Sequence, residues 1–451
     1  MSLPPGPRMP AALQALGWAT RPYPLMKRCQ ERYGDTFTLR ILHSGTWVFL
    51  CDPADVKSVF TAPAGSLGVA LANPLLLPVL GPRSVMLLEE PDHMARRRMM
   101  LPPFHGRRME ADAETMAEAA REIVRSWPAG KPFELWPQMQ AITQEVIMRS
   151  VFGAAEAGRL GELRTLLHRL TAALNDPGRL RKAAALGPRW LARESGFRAA
   201  MAPVEAALLK EVDRRRRAGE DGRKDIVSIL IDARHEDGTP LGERELRDEL
   251  MTLLTDGPTS SSLAWVFERL LRHPEKLRRL QEEVWAGADD AYMDAVVKET
   301  LRLCPPVPVV VRRLLEPMEL GGHALPAGTV VAPCVYLIHR DEEIYPNPRR
   351  FLPERFLERP PGTYTWIPFG GGTRRCLAAS YAELEMKRVL RTVLSEVELR
   401  PADEDSERAR RSAISFSPDK RARVIAEPRT PVPAVPGEPS EPWQPSPIYS
   451  S

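Results

Sequence analysis

The chain has 451 residues, 43% of them hydrophobic and 27% charged, and its 63 lysines and arginines against 59 aspartates and glutamates leave a net charge of +4. That balance excludes wholesale disorder, a collagen-like repeat and a membrane-embedded bundle, and it argues against nucleic acid as a partner. Five cysteines (Cys29, Cys51, Cys304, Cys334, Cys376) without a C-x-x-C pair exclude a disulfide framework and a tetrahedral zinc site and fit the reduced cytoplasm.

Residues 1–24 are rich in proline and are expected to be irregular. They lack the charged and apolar regions of a signal peptide, and the most apolar stretch, residues 67–80, is broken by Asn73, Pro74 and Pro78, so no membrane span is expected. An amphipathic helix is predicted over 25–33, ended by Gly34, followed by a β-hairpin over 36–42 and 46–50 turning at His43-Ser44-Gly45. Helical periodicity dominates residues 52–273, and the stripe Leu246, Leu250, Leu253, Gly257, Ser260, Ala264, Phe267, Leu271 predicts one long helix. Extended chain is expected over 307–320 and 329–336, with turns at Gly321-Gly322 and Gly328, and a last helix over 377–394. Residues 25–426 read as a single, mainly α domain with minor β-sheets, without repeats or a dividing linker. The tail, 427–451, holds eight prolines among Glu, Ser and Gln and reads as disordered.

The segment Phe369-Gly-Gly-Gly-Thr-Arg-Arg-Cys376 before the last helix is the most informative. Its glycines let the chain fold back, while a helix N-terminus and adjacent arginines favour a thiolate. A phosphate loop is disfavoured, because no Gly-Lys-Ser/Thr follows. From these residues alone Cys376 is either an inert thiol on a turn or an activated sulfur. The segment resembles the cysteine-ligand loop of the cytochrome P-450 family, F-x-x-G-x-R-x-C-x-G, through Phe369, Gly372, Arg374 and Cys376, with Ala378 where the family usually has glycine. The resemblance runs from about residue 23 to 425. It implies a triangular, mainly helical fold with haem b between a long central helix and the cysteine loop. It also implies Cys376 as axial thiolate of the iron, Arg374 on a haem propionate and Phe369 near the sulfur.

Glu299-Thr-Leu-Arg302 spaces two opposite charges three apart on a helix, which alone is an ordinary ion pair. With Pro353-Glu-Arg355-Phe it is similar to the family's structural triad of Glu299, Arg302 and Arg355. His93 and Arg97 share a helix face, either as a solvated basic end or, by the family's H-x-x-x-R element, as propionate ligands. Arg312 matches a third propionate arginine, with Arg313 leaving the register open. His339 also matches a family pattern and is read as structural.

On the long helix, Gly257, Ser260 and Ala264 leave a shallow face for a macrocycle or for a neighbouring helix. The family usually has A-G-x-D/E-T-T there. This sequence has Asp256-Gly257-Pro258-Thr259-Ser260, which puts Thr259 at the acid position and Ser260 at the alcohol position, about two residues short of the expected spacing. Asp256 could replace the acid only in a distorted helix, which Pro258 would favour. The implied activity is that of a bacterial-type haem-thiolate monooxygenase. It would act on a hydrophobic small molecule and draw electrons from a separate ferredoxin or flavodoxin and its reductase. A monomer is expected, with Arg374, Arg375, Lys387, Arg388 and Arg391 as a candidate docking surface. A peroxide-driven or non-oxygenating (isomerase or dehydratase) enzyme is the alternative, and a non-enzymatic haem protein the third reading.

Overall fold

A computed structural model describes residues 3–154, 159–219, 225–255, 257–412 and 414–429. Helices make up most of it, and the described residues form four small sheets. The largest sheet orders its strands Thr36–Ile41, Gly45–Leu50, Val330–Pro333, Arg312–Leu314 and Leu67–Gly68. The expected hairpin is its first pair, in the register Thr36↔Leu50 to Ile41↔Gly45. Its turn places both His43 and Gly45 at positive φ (64° and 86°), the latter a conformation that glycine adopts without strain. Alternation along these strands buries Phe37, Leu39 and Phe49 in one apolar cluster and Val48 and Leu50 in another.

The N-terminal expectation needs correction. Residues 3–10 are irregular as expected, but Ala11–Thr20 is a helix, and the next one, Pro22–Tyr33, begins ahead of the predicted boundary. The prolines lie at positions a helix tolerates. Pro10 is the N-cap of the first helix and Pro22 opens the second, leaving a proline-free run between them. The helical stretch from 52 to 273 is likewise interrupted by residues 61–76, where Pro63 and Pro74 stand, and by the strand Pro132–Glu134. Val335 and Tyr336, expected to be extended, open the single helical turn Val335–Ile338. Past the last long helix, Ala379–Glu396, come four strands the sequence reading missed: Val397–Pro401, Ala409–Ser412, Ser415–Pro418 and Arg423–Pro428. The last of these pairs with Pro132–Glu134 and Val397–Pro401 and carries the fold past 426; residues 430–451 of the expected tail lie outside the described residues.

The predicted long helix is two. Glu243–Leu254 ends at Thr255, and Pro258–Leu271 restarts with Gly257 as N-cap and Pro258 in its first turn. A proline whose missing N–H would break a continuous helix opens a new one at no loss. The second helix is buried on nearly all sides. It packs against Leu135–Phe152, Ala291–Leu303, Pro274–Ala286 and Ala379–Glu396, and its Trp265 Nε1 donates to the Phe416 carbonyl (3.0 Å).

The first helix is held differently. Arg96, on the helix Asp92–Met100, donates to Glu249 (2.9 Å) and to Glu245, while Glu249 also accepts from Val85 N (2.9 Å) and Asp248 from Arg83 N (2.8 Å). Burial pushes the Glu249 carboxyl up to about 7 against the pull of Arg96. Two adjacent carboxylates thus fasten residues 83–85 to this helix.

Candidate haem site

The cysteine loop is built on backbone contacts. Gly370 N donates to the Ile367 carbonyl (3.1 Å), Arg375 N to Gly372 (3.1 Å) and Cys376 N to Phe369 (2.9 Å), closing a loop around the turn Gly372–Arg374. Glycine is required at 371 and 372. A Cβ at Gly371 would stand 2.2 Å from the Phe60 ring and one at Gly372 2.1 Å from the Phe60 carbonyl, with Gly372 also at φ +66°. Ala378, in contrast, has φ −97°, so alanine fits there without strain.

Cys376 is exposed yet has protein groups on most sides, as in a recess rather than on a convex surface. Burial pushes its thiol up, opposed by the Ala378 N–H and by the cations Arg375 and Arg97. Phe369, Leu377 and Ala378 pack against the same apolar cluster as Leu263, Ala264 and Phe267 of the Pro258–Leu271 helix, and the Phe369 ring meets Trp366 edge-on at 6.1 Å.

His93, Arg97 and Arg312 all lie close enough to Arg374 to feel its charge, and Arg97 lies close to Cys376 as well. Arg374 lies within the field of Arg97 and of Glu89 and Glu90, the nearest carboxylate oxygens being 3.5 and 3.8 Å away. Burial, with Arg374 beside it, lowers Arg312 to about 10. Burial and the nearby Arg374 also lower His93, whose Nδ1 is 2.7 Å from Glu90. Strand alternation turns Arg313 to the opposite side from Arg312, so it is Arg312 that shares the surroundings of Arg374.

Both terminal nitrogens of Arg374 are buried without a hydrogen-bond partner. A buried guanidinium in this state is matched by an anionic group with oxygens to accept those protons. The residues present therefore fit a cofactor that carries carboxylates and takes a thiolate ligand.

Glu299, Arg302 and Arg355 do meet. Glu299 and Arg302 are fully buried and joined by two hydrogen bonds (2.6 and 2.9 Å), and Arg355 reaches Glu299 at 3.2 Å. Arg302 also donates to the carbonyls of His339 (2.5 Å) and Pro348 (2.9 Å), and Glu299 accepts from Leu352 N (2.8 Å). His339 extends the network. Its Nε2 accepts from Ile367 N (2.9 Å), which assigns the remaining proton to Nδ1, facing the Arg302 carbonyl at 3.2 Å. Burial and then Arg302 pull its pKa well below the ordinary range, so it stays neutral and fixes Ile367, two residues ahead of Phe369.

At the helix break, Ser260 is buried and its hydroxyl donates to the Gly257 carbonyl (3.0 Å). Ser261 Oγ lies 3.3 Å from Ser415 Oγ. Thr259 is half-buried and carries no charge, and Asp256 lies outside the described residues. The basic docking surface is smaller than expected: Arg374 turns inward, Lys387 pairs with Asp294 and Arg391 with Asp290, and Arg388 is half-buried, leaving Arg375 as its exposed member.

Sequence reasoning missed Glu89 and Glu90, which flank the cations, and the Arg96–Glu249 contact. Arg96 and Arg97 stand 100° apart on the helix Asp92–Met100, so the two neighbours serve different partners, Arg96 the Glu249 carboxylate and Arg97 the surroundings of Cys376.

The family model described as Cytochrome P450 matches residues 3–424. A protein of Mycobacterium bovis named cytochrome P450 135B1 is 39% identical over 439 residues, covering 94% of this chain and 91% of its own. One of Mycobacterium tuberculosis named cytochrome P450 137 is 36% identical over 417 residues, covering 89% and 85%. Among solved structures, retinoic acid bound cyanobacterial CYP120A1 superimposes with a TM-score of 0.83 at 23% identity over 95% of this chain and all of that one; the haem domain of cytochrome P450DA gives 0.81 at 22% over 96% and 99%. These two share the fold. With the family model and the mycobacterial relatives spanning nearly its whole length, the chain belongs to the cytochrome P450 family of haem-thiolate monooxygenases.

Proposed function

We propose that this protein binds haem b through Cys376 and inserts one oxygen atom from dioxygen into a hydrophobic small molecule. The observation that carries this reading is the inward-facing Arg374 guanidinium, whose terminal nitrogens have no hydrogen-bond partner, beside His93, Arg97 and Arg312 and next to a cysteine whose loop admits only glycine at 371 and 372. Bound haem supplies the oxygen activation, favoured by a thiolate ligand. The protein's own groups hold and orient it. Arg97 and Arg375 favour the anionic sulfur, Phe369 packs against the loop, Arg374, Arg312, Arg97 and His93 meet the propionates, and Gly257 leaves the helix start uncrowded. Glu299, Arg302 and Arg355 act structurally, setting the path into the loop.

His93 offers a test with a definite sign. With Nδ1–H directed at Glu90, the neutral ring presents a lone pair at Nε2, so donation to a carboxylate requires the protonated ring. Porphyrin carboxylates would raise the His93 pKa from its lowered value. Hemin affinity of the apoprotein should therefore fall as pH rises through the interval between the apo and holo values. His93→Gln, which donates at every pH, should flatten that slope; parallel titration curves for the two proteins would refute the assignment.

Proton delivery rests on Asp256, Thr259 and Ser260, of which Ser260 already spends its proton on Gly257. The uncharged Thr259 at the acid position favours a second reading, in which peroxide drives turnover or the enzyme isomerises or dehydrates without oxygenating. Product formation with a ferredoxin and reductase, compared with hydrogen peroxide, separates the two. Thr259→Asp should raise the product formed per electron severalfold if the absent acid limits turnover. Unchanged coupling would remove that explanation. A haem protein without turnover under either supply is the third reading.

Apolar segments at 67–88 and 166–190 support a lipid-like, terpenoid, steroid or aromatic substrate, a class that includes the retinoic acid held by the cyanobacterial structural neighbour. Electrons would come from an external ferredoxin or flavodoxin with its reductase, docking near Arg375. We place the protein as a monomer in a bacterial cytoplasm; no described helix is long and apolar enough to cross a membrane.

A further inference from the structure

The C-terminal hairpin, Ala409–Ser412 paired with Ser415–Pro418, carries a cation that no described carboxylate neutralises. Arg411 stands opposite Phe416 in the register, and its guanidinium carbon lies 5.1 Å from the Phe416 ring and 5.3 Å from the Trp18 ring. Its Nη2 donates to the Trp18 carbonyl (3.2 Å), while its Nε is buried without a hydrogen-bond partner. The titratable group that acts on it is the Tyr23 hydroxyl, which burial pushes far above its ordinary value and keeps neutral. Burial lowers Arg411 itself to about 10, so it is charged at neutral pH.

A guanidinium taken out of water needs acceptors in place of that water, and two aromatic faces with one carbonyl supply only part of them. Arg411 is half-buried yet has protein groups on nearly all sides, as in a recess. The hairpin that carries it adjoins the candidate site. A Cβ at Gly257 would stand 3.7 Å from Ser415 Oγ, and Ser412 Oγ donates to Asn175 Oδ1 (2.7 Å) at the end of the helix Gly161–Leu174. At the hairpin turn Ile414 is 43% exposed, although Ser412, Ser415 and Phe416 around it are buried. Strand alternation turns Arg411 away from Ser412 and Ser415, so its charge is set back from the Gly257 helix start by the width of the hairpin.

We infer that Arg411 receives the carboxylate of the substrate, which makes the hydrophobic small molecule an acid whose apolar part passes the Ile414 turn toward the Gly257 helix start. A single cation matches a singly charged carboxylate, whereas a phosphate monoester would bring a second charge with no partner. A neutral donor would serve equally well if the side chain only clamped Trp18 to the hairpin. Oxidation should then fall away from the acid end. That consequence rests on the proposed function; the anion site does not.

The test is titration of the haem-loaded full chain with straight-chain acids from octanoic to hexadecanoic and with abietic acid, a cyclic terpenoid acid, each beside its alcohol. Binding is read from the haem absorption shift and, independently of it, by equilibrium dialysis. The acids are expected to bind about tenfold or more tightly than the alcohols. Arg411→Gln keeps a donor for the Trp18 carbonyl without the charge, and should bring the acids down to the alcohols while leaving alcohol binding unchanged. Arg411→Lys should recover part of the difference. A wild-type haem spectrum in both variants shows that they are folded. Acids that bind no better than their alcohols, or an Arg411→Gln protein that keeps the preference, would overturn the inference. Arg411-dependent acid binding without oxidised product under either electron supply would instead sink the monooxygenase reading and leave the anion site standing.

Discussion

Cys376→Ala is expected to abolish turnover and to move the absorption band of the reduced carbon monoxide complex away from that of the wild type. The cations of the recess remain, so hemin still binds, but at least ~100-fold more weakly, because the metal ligand itself is gone rather than a supporting group. Optical titration of the two apoproteins with hemin reads both effects. An unchanged carbon monoxide spectrum in the variant would mean that the sulfur does not hold the iron, and the assignment of the recess would fall with it. The enclosed setting of Cys376 sharpens the comparison, because the alternative ligands near it, Arg97 and Arg375, are cations that cannot take its place.

Glu299→Ala carries the largest expected effect on stability. It leaves the Arg302 guanidinium fully buried with its carboxylate partner missing, at a cost of roughly 3–5 kcal/mol. It also frees Leu352 N and releases Arg355. Urea unfolding of the holoprotein measures the loss. The double replacement E299L/R302M should recover only part of it, since the carbonyls of His339 and Pro348 then lose their donor. A Glu299→Ala protein within about 1 kcal/mol of wild type would show that the triad does not set the path into the cysteine loop.

The parts of the site that were legible in the sequence are those encoded by residues close in the chain. Phe369 to Cys376 fall within eight positions, and Glu299 and Arg302 lie one helical turn apart, so their spacing alone states a geometry. The Arg96–Glu249 contact spans 153 positions and has no such local signature. Short elements were hidden for a different reason. Ala409–Ser412 is Ala-Arg-Arg-Ser, which neither alternates nor favours a strand by composition; it is extended because Ser415–Pro418 pairs with it and packs on the buried helix. Pro258 could be read in two ways. A proline in an apolar stripe signals either a kink or a beginning, and only the tertiary contacts of residues 243–271 decided for a beginning.

That interruption divides responsibility along what would otherwise be a single rod. Its front portion answers to the covering segment near Val85 through Glu249 and Asp248, and its rear portion to the C-terminal hairpin through Ser261 and Trp265. With the helix interrupted at Gly257, a change in the front portion reaches the rear one only through side-chain packing. Replacing Glu249 or Asp248 should therefore speed hydrogen exchange at residues 83–85 while the Trp265 contact to the C-terminal hairpin stays in place.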